Sequence, residues 1–323
     1  MRHVGATVVL AFLACVCVEA RPSSDEITEL AGWDGPLPSR MYAGYVPAGK
    51  ASEAGIEREL FGHYYFVESE SDPENDPLIV WSNGGPGAAS FFGLFVELGP
   101  LIFSGSSRRS IEYNVTGVPT LYYNPYSWSK VANILIINAP APVGYSYCMP
   151  EGPSGDGNSC GTWNDTKTAF HNRIFLENWA AAWPEFLAPS REWFLIGESY
   201  AGVYIPTLVR ELINEESSKV AKLLKGFAVG DACMGTGVLC GENGPGPFFR
   251  LEFLHGHGQF SDKLYRQIHE HCPREQLVGY NKVAITDAKC RDLVQDAFKQ
   301  VGPFYPYNLY DTCWYQNDPV PIP

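Results

Sequence analysis

Positive charge is scarce in this 323-residue chain: 23 Lys and Arg face 36 Asp and Glu, a formal charge of −13, and no segment gathers the basic side chains. Phosphate backbones are held by such clusters, so nucleic acid is not an expected partner. Long hydrophobic runs are missing too. The longest, Val8 to Val18, has 11 residues, against the ~20 a membrane helix needs, and no membrane-spanning part is expected. Doubled C-x-x-C pairs are absent, which argues against a zinc site. No glycine-rich loop ends in Lys-Ser or Lys-Thr, which argues against a nucleotide phosphate site. No metal or cofactor is expected, and neither repeats nor low-complexity blocks interrupt the chain.

Met1-Arg2-His3, the short apolar run and Val18-Glu19-Ala20, followed by the polar Arg21-Pro22-Ser23-Ser24, read as a signal peptide over residues 1–20. The expected address is the secretory pathway, with outright secretion or a lysosomal or vacuolar destination. In that setting cysteines pair. Seven follow the signal, and proximity suggests Cys148 with Cys160, Cys233 with Cys240 and Cys272 with Cys290, leaving Cys313 single. Asn114-Val115-Thr116 and Asn164-Asp165-Thr166 are possible N-glycosylation sites.

Strands are expected at Met41–Val46, Tyr64–Glu68, Leu78–Ser82, Ile134–Asn138, Trp193–Ile196 and Gly226–Val229. Several are unbroken apolar runs, the mark of strands buried on both faces. Helices over Thr166–Leu187 and Ala201–Glu216 then serve as crossovers in a mostly parallel α/β sheet. After Asp231 the sequence turns Cys-, Gly- and Pro-rich, with helices near Asp262–His271 and Thr286–Val301. The expected organisation is an α/β core over residues 21–231 and a helical cap insertion over residues 232–323, with the last core strands missing.

Two segments carry chemistry. Trp193 to Gly202, W-F-L-I-G-E-S-Y-A-G, is an apolar strand that runs into a serine framed by small residues, the layout of a nucleophile elbow with Ala201 in place of its last glycine. Leu78 to Ser90 is a second buried strand, ending in Asn83-Gly84-Gly85-Pro86-Gly87. Backbone N–H groups of such a loop can face the negative charge that develops in acyl transfer, a contribution of roughly 3 to 4 kcal/mol each. Gly85 is the expected donor on this loop, and Tyr200, after the serine, is the expected second one.

At these residues the sequence resembles the serine carboxypeptidases, through Trp81–Ser90, Phe92–Pro100, Asn138–Tyr147 and Gly197–Gly202, and again at Tyr307–Cys313. The resemblance implies an α/β-hydrolase fold with Ser199 as nucleophile and Gly85 and Tyr200 as the oxyanion hole. It also implies that Asn83, Glu97 and Glu198 hold the free carboxylate of a peptide substrate. A carboxyl group donates a hydrogen bond only when protonated, so such a subsite prefers acid. That family carries its triad Asp and His after the cap. Neither motif is present here, and His255, His257, His269 and His271 lie in the expected cap, while His63 and His171 read as structural or solvated. A missing C-terminal segment or a second chain is the expected source of both groups. Ala88 stands where the family has a Cys bonded to a later one, which agrees with a single Cys313. A non-catalytic peptide-binding homologue and an acyltransferase of the same fold are the competing readings.

Overall fold

Apolar runs without polar interruption become the strands at the centre of one sheet. The computed structural model describes residues 22–150, 160–234, 246–279, 283–304 and 309–310. Its strands are β1 (Glu26–Ile27), β2 (Met41–Glu53), β3 (Ile56–Val67), β4 (Leu78–Ser82), β5 (Leu101–Ile102), β6 (Tyr122–Tyr123), β7 (Asn133–Asn138), β8 (Tyr147–Met149), β9 (Trp193–Glu198) and β10 (Leu224–Gly230). Eight of them form one sheet in the order β1-β2-β3-β7-β4-β9-β10, with β8 beside β3, while β5 and β6 pair separately. From β7 to β10 neighbouring strands are parallel; the N-terminal strands join antiparallel.

The β2–β3 hairpin is longer than the sequence reading. Its outer half alternates between half-buried and exposed residues, and it closes at Glu53 opposite Ile56. Ala54 and Gly55 make the turn at φ 50° and 78°, a two-residue turn with both central residues left-handed. Ala54 carries none of the usual Asn-Gly signal, which is why the extension was illegible.

The helices of this part are α1 (Ile111–Thr116), α2 (Asp165–Ala182), α3 (Ala201–Asn214) and α4 (Lys219–Leu223). Asn164 caps α2, its side chain accepting the Lys167 N–H. The expected helix to Leu187 is corrected by Pro184. A residue before proline avoids helical backbone, and Trp183 leaves it at φ −124°, ψ 64°, before a 3₁₀ turn over Pro184–Leu187. The parallel strands show why both sheet faces must be covered: Leu135 and Ile137 join the core under α2 and α3, with Trp179, Trp183 and Trp193. Ile134 and Ile136 point the other way, to Leu94, Leu98, Leu101 and Leu121. β10 is the edge strand among the described residues, and Phe227 on it is 49% exposed.

Residues 1–232 and 233–323 form two units. The second contains α5 (Phe248–Gly256), α6 (Asp262–His271), α7 (Arg274–Val278) and α8 (Ala288–Val301) around Leu251, Leu254, Ile268, Leu277 and Ala297. Here the sequence boundaries hold at α6, and α8 begins two residues later than Thr286 because Asp287 caps it. The disulfides Cys148–Cys160 and Cys272–Cys290 are formed, and Cys233 is disulfide-bonded. Cys240, Cys313 and the expected signal peptide lie outside the described residues. No helix among the described residues is long and apolar enough to cross a membrane.

Candidate active site

Three parallel strands end side by side, and their carboxyl ends build the site. Ser82 on β4 is in register with Gly197 on β9, and Glu198 with Gly230 on β10. Ser199 follows at φ 58° and is exposed. Left-handed backbone costs a non-glycine residue roughly 1–2 kcal/mol. Two hydrogen bonds hold it there: the Ser199 N–H donates to the Gly230 carbonyl at 2.9 Å, and the Gly202 N–H to the Ser199 carbonyl at 2.9 Å. The crossing of strand and helix is tight. A Cβ at Gly197 would lie 2.4 Å from the Ser82 carbonyl oxygen and 2.6 Å from the Ala201 Cβ, so Ala201 fits only because residue 197 has no side chain.

The glycine loop after β4 lies against the residue that follows Ser199. A Cβ at Gly84 would stand 2.2 Å from the Tyr200 amide nitrogen and 2.9 Å from the Glu198 carbonyl oxygen, so only glycine permits this approach. Gly85 is exposed at φ 111°. The loop is closed by the Ala88 N–H on the Gly84 carbonyl at 3.1 Å and pinned by the Gly87 N–H on the Tyr204 hydroxyl at 3.1 Å. Burial pushes the Tyr204 hydroxyl up to about 12 against the opposing hydrogen bond from Gly87. It therefore stays a neutral acceptor at physiological pH.

Asn83 is 3% exposed. Its Oδ1 accepts from Trp81 Nε1 at 3.0 Å and the Gly93 N–H at 2.9 Å, which turns Nδ2 toward Glu198 Oε1 at 2.6 Å. Gly93 opens a short π-helical turn over Gly93–Leu98, and a Cβ there would strike Trp81 Nε1 at 2.1 Å. That turn carries Glu97, exposed on its outer side, to Glu198. Loss of hydration, then the Glu198 charge, then a hydrogen bond between the two carboxyls raise Glu97 to about 7. The proton it retains belongs to the pair.

The structure thus brings Asn83, Gly85, Glu97, Glu198, Ser199 and Tyr200 to one end of the sheet. His63 and His171 are buried in the first unit, with His171 Nδ1 on the Ala48 carbonyl at 2.7 Å. In the second unit His255 meets Asp262, His269 meets Glu252 and His271 meets Asp287, each at 2.8 Å, and His257 Nδ1 meets the Phe253 carbonyl at 2.7 Å. Neither His63 nor His171 is hydrogen-bonded to Ser199. Nor do three His, Cys, Asp or Glu converge as a metal site among the described residues. Sequence reasoning missed Tyr204, and it named Ser90 and Asn138 only as ends of motif stretches, without their contacts. Ser90 Oγ accepts the Asn83 N–H, and Asn138 Oδ1 accepts the Ser90 N–H, both at 3.0 Å. Trp81 was visible as a motif residue, but its contact with the Asn83 oxygen was not.

A profile of the serine carboxypeptidases matches residues 32–320. The chain belongs to the serine carboxypeptidase family. It is 37% identical over 301 residues to serine carboxypeptidase 1 of Hordeum vulgare, covering 92% of this chain and 53% of that protein. It is 33% identical over 300 residues to a serine carboxypeptidase of Caenorhabditis elegans, covering 92% and 55%. The crystal structure of Kex1, a prohormone-processing carboxypeptidase from Saccharomyces cerevisiae, superposes with TM-score 0.57 at 22% identity over 89% of this chain and 59% of that one. That likeness fixes the α/β-hydrolase-type fold. The chain spans little more than half the length of these serine carboxypeptidases.

Proposed function

We propose that this chain carries the nucleophile and carboxylate-binding half of a secreted serine carboxypeptidase. Ser199 attacks the last peptide carbonyl, and the Gly85 and Tyr200 N–H groups receive the charge that forms on its oxygen. The C–N bond breaks, the C-terminal amino acid leaves, and water hydrolyses the acyl-Ser199 ester. Asn83 and the proton shared by Glu97 and Glu198 hold the terminal carboxylate, which sets which peptide bond is cut. A base histidine and its aspartate come from a segment or chain outside these 323 residues. Without them Ser199 keeps an ordinary hydroxyl, and turnover falls on the order of 10⁶-fold. Residues 232–323 are read as the helical cap, Asn114 and Asn164 as glycan sites, and the secretory pathway as the compartment.

The observation that carries this reading is the Asn83–Glu198–Glu97 cluster next to Ser199, because a carboxyl that keeps its proton can donate it to the carboxylate of a ligand. The test is binding of one short peptide at pH 5 in two forms, with a free C-terminal carboxylate and with a C-terminal amide. The free acid binds at least tenfold tighter if the cluster reads a carboxylate. Equal affinity for the two forms would overturn the assignment.

A further inference from the structure

His63 is buried at 6% exposure, far from any role in acyl transfer, yet it ends a hydrogen-bond chain that leads to the glycine loop. It sits on β3 directly opposite Asn138 on β7, with Asn138 Nδ2 3.1 Å from His63 Nδ1. The direction of that bond is fixed from the other side. Asn138 Oδ1 is taken by the Ser90 N–H at 3.0 Å, so the amide nitrogen must face the histidine. An amide NH₂ only donates, and His63 Nδ1 must therefore be an unprotonated acceptor. Ser90 in turn accepts the Asn83 N–H, so the two posts of the loop, Asn83 and Ser90, are tied together and then to β7. Only a glycine at 144 leaves the Asn138 side chain this place: a Cβ there would lie 2.8 Å from its Cγ. The Ser146 hydroxyl accepts the His63 N–H at 2.8 Å and bonds the Asn138 carbonyl, fixing the two backbones.

We propose that His63 is a positioning residue for the glycine loop: only its neutral ring can hold Asn138 in the orientation that fixes Ser90, so uptake of a proton releases the loop. An imidazolium would set N–H against NH₂ across this bond. No carboxylate lies against the ring to favour the charge. Its ring neighbours are Tyr45 from β2, Phe91 after the loop and Tyr145 before β8. Burial accordingly pushes the ring down to about 4 from an ordinary 6.5. A released ring returns to the ordinary value. Loop opening then becomes about tenfold more favourable per pH unit between 6.5 and 4, and levels off below. The site would have an acid limit set by His63 that is independent of the carboxyl pair.

This inference rests on the loop's proposed role for its functional meaning, but its test does not. Hydrogen exchange of the 83–93 segment, corrected for intrinsic rates, is followed by mass spectrometry from pH 6.5 to 4 in the native chain and in His63→Gln. Glutamine accepts through its oxygen and does not titrate. Protection falls about tenfold per pH unit in the native chain and stays flat in His63→Gln. A flat native profile, or the same slope in both, overturns the proposal. Should His63→Gln already be unprotected at pH 6.5, histidine NMR on the native chain decides: the ring must titrate at the pH where loop protection levels off, and a mismatch overturns it. Fluorophosphonate labelling of Ser199 is run alongside. Labelling absent at every pH counts against the nucleophile reading, whereas the exchange slopes still decide on His63.

Discussion

Replacing Glu97 with Gln should abolish the pH dependence of carboxylate recognition without abolishing recognition itself. In the folded chain Glu97, buried beside Glu198, holds its proton to about pH 7, where a lone glutamate would release it near 4.5. The sign follows from that ordering. Protonation favours the fold below 4.5, and the advantage fades as pH rises through 7. A bound carboxylate needs the same proton, because two ionised glutamates would repel it. At pH 5 about 99% of the pair carries the proton, and at pH 9 about 1% does, so affinity for a free C-terminus falls about 100-fold, tenfold per unit above 7. Gln at position 97 donates at every pH. The assay is fluorescence titration of a labelled peptide from pH 5 to 9, with its amide as control. Native and Glu97→Gln curves of the same shape would show that the proton on this pair does not hold the ligand.

Three further outcomes follow from the same geometry. His63→Gln should remove an acid-side loss of stability. The native ring's low proton affinity stabilises the fold fully above pH 6.5 and loses that contribution as pH falls toward 4, about 3 kcal/mol in all; urea melts read by tryptophan in a Glu97→Gln background, which removes the opposing carboxyl slope, test this by whether native stability falls relative to His63→Gln between pH 6.5 and 4. Ser199→Gly should raise stability by about 1 kcal/mol while losing all fluorophosphonate labelling, since glycine accepts φ 58° without strain; an unchanged or lowered melting temperature would remove the strain argument. Gly84→Ala should cost about 1–3 kcal/mol and loosen peptide binding, because its Cβ meets backbone at Tyr200 rather than a movable side chain; wild-type stability and binding would mean that the loop does not press on residue 200.

The parts of this site legible in the sequence are those built by consecutive residues. The run from Gly197 to Gly202 states its own geometry: a strand, a small residue, a serine, a helix. The Trp81–Ser90 run does the same for the loop. What stayed hidden is what holds those turns in place, because it arrives from far along the chain. Tyr204 reaches Gly87 across 117 residues, Asn138 reaches Ser90 across 48, and His63 reaches Asn138 across 75. A lone histidine or tyrosine in a strand or helix carries no local sign of such a contact. The fold shows the same division. Buried parallel strands were visible as apolar runs, whereas the outer β2–β3 hairpin turned on an alanine in left-handed backbone, and the end of α2 on how the chain approaches Pro184.

The site separates recognition from chemistry along the sheet. Everything that would recognise a terminal carboxylate, Asn83 with its Trp81 and Gly93 clamps and the Glu97–Glu198 pair, hangs on β4, β9 and one π-helical turn. These elements share a core with β7 and lie within residues 22–232. The elbow at Ser199 leans on β10 through the Gly230 carbonyl, and β10 is the edge among the described residues, its outer residues open. A base would therefore be added beyond the edge on which the nucleophile rests, without rebuilding the carboxylate pocket. Binding energy and turnover become separable quantities: removal of a base leaves the affinity for a free C-terminus intact while the rate collapses. Glu97 in the pocket and His63, which reaches the loop only through Asn138, pull in opposite directions. Glu97 must keep a proton and His63 must refuse one, so the range in which both demands are met, from about 4 to about 7, is bounded by burial on each side.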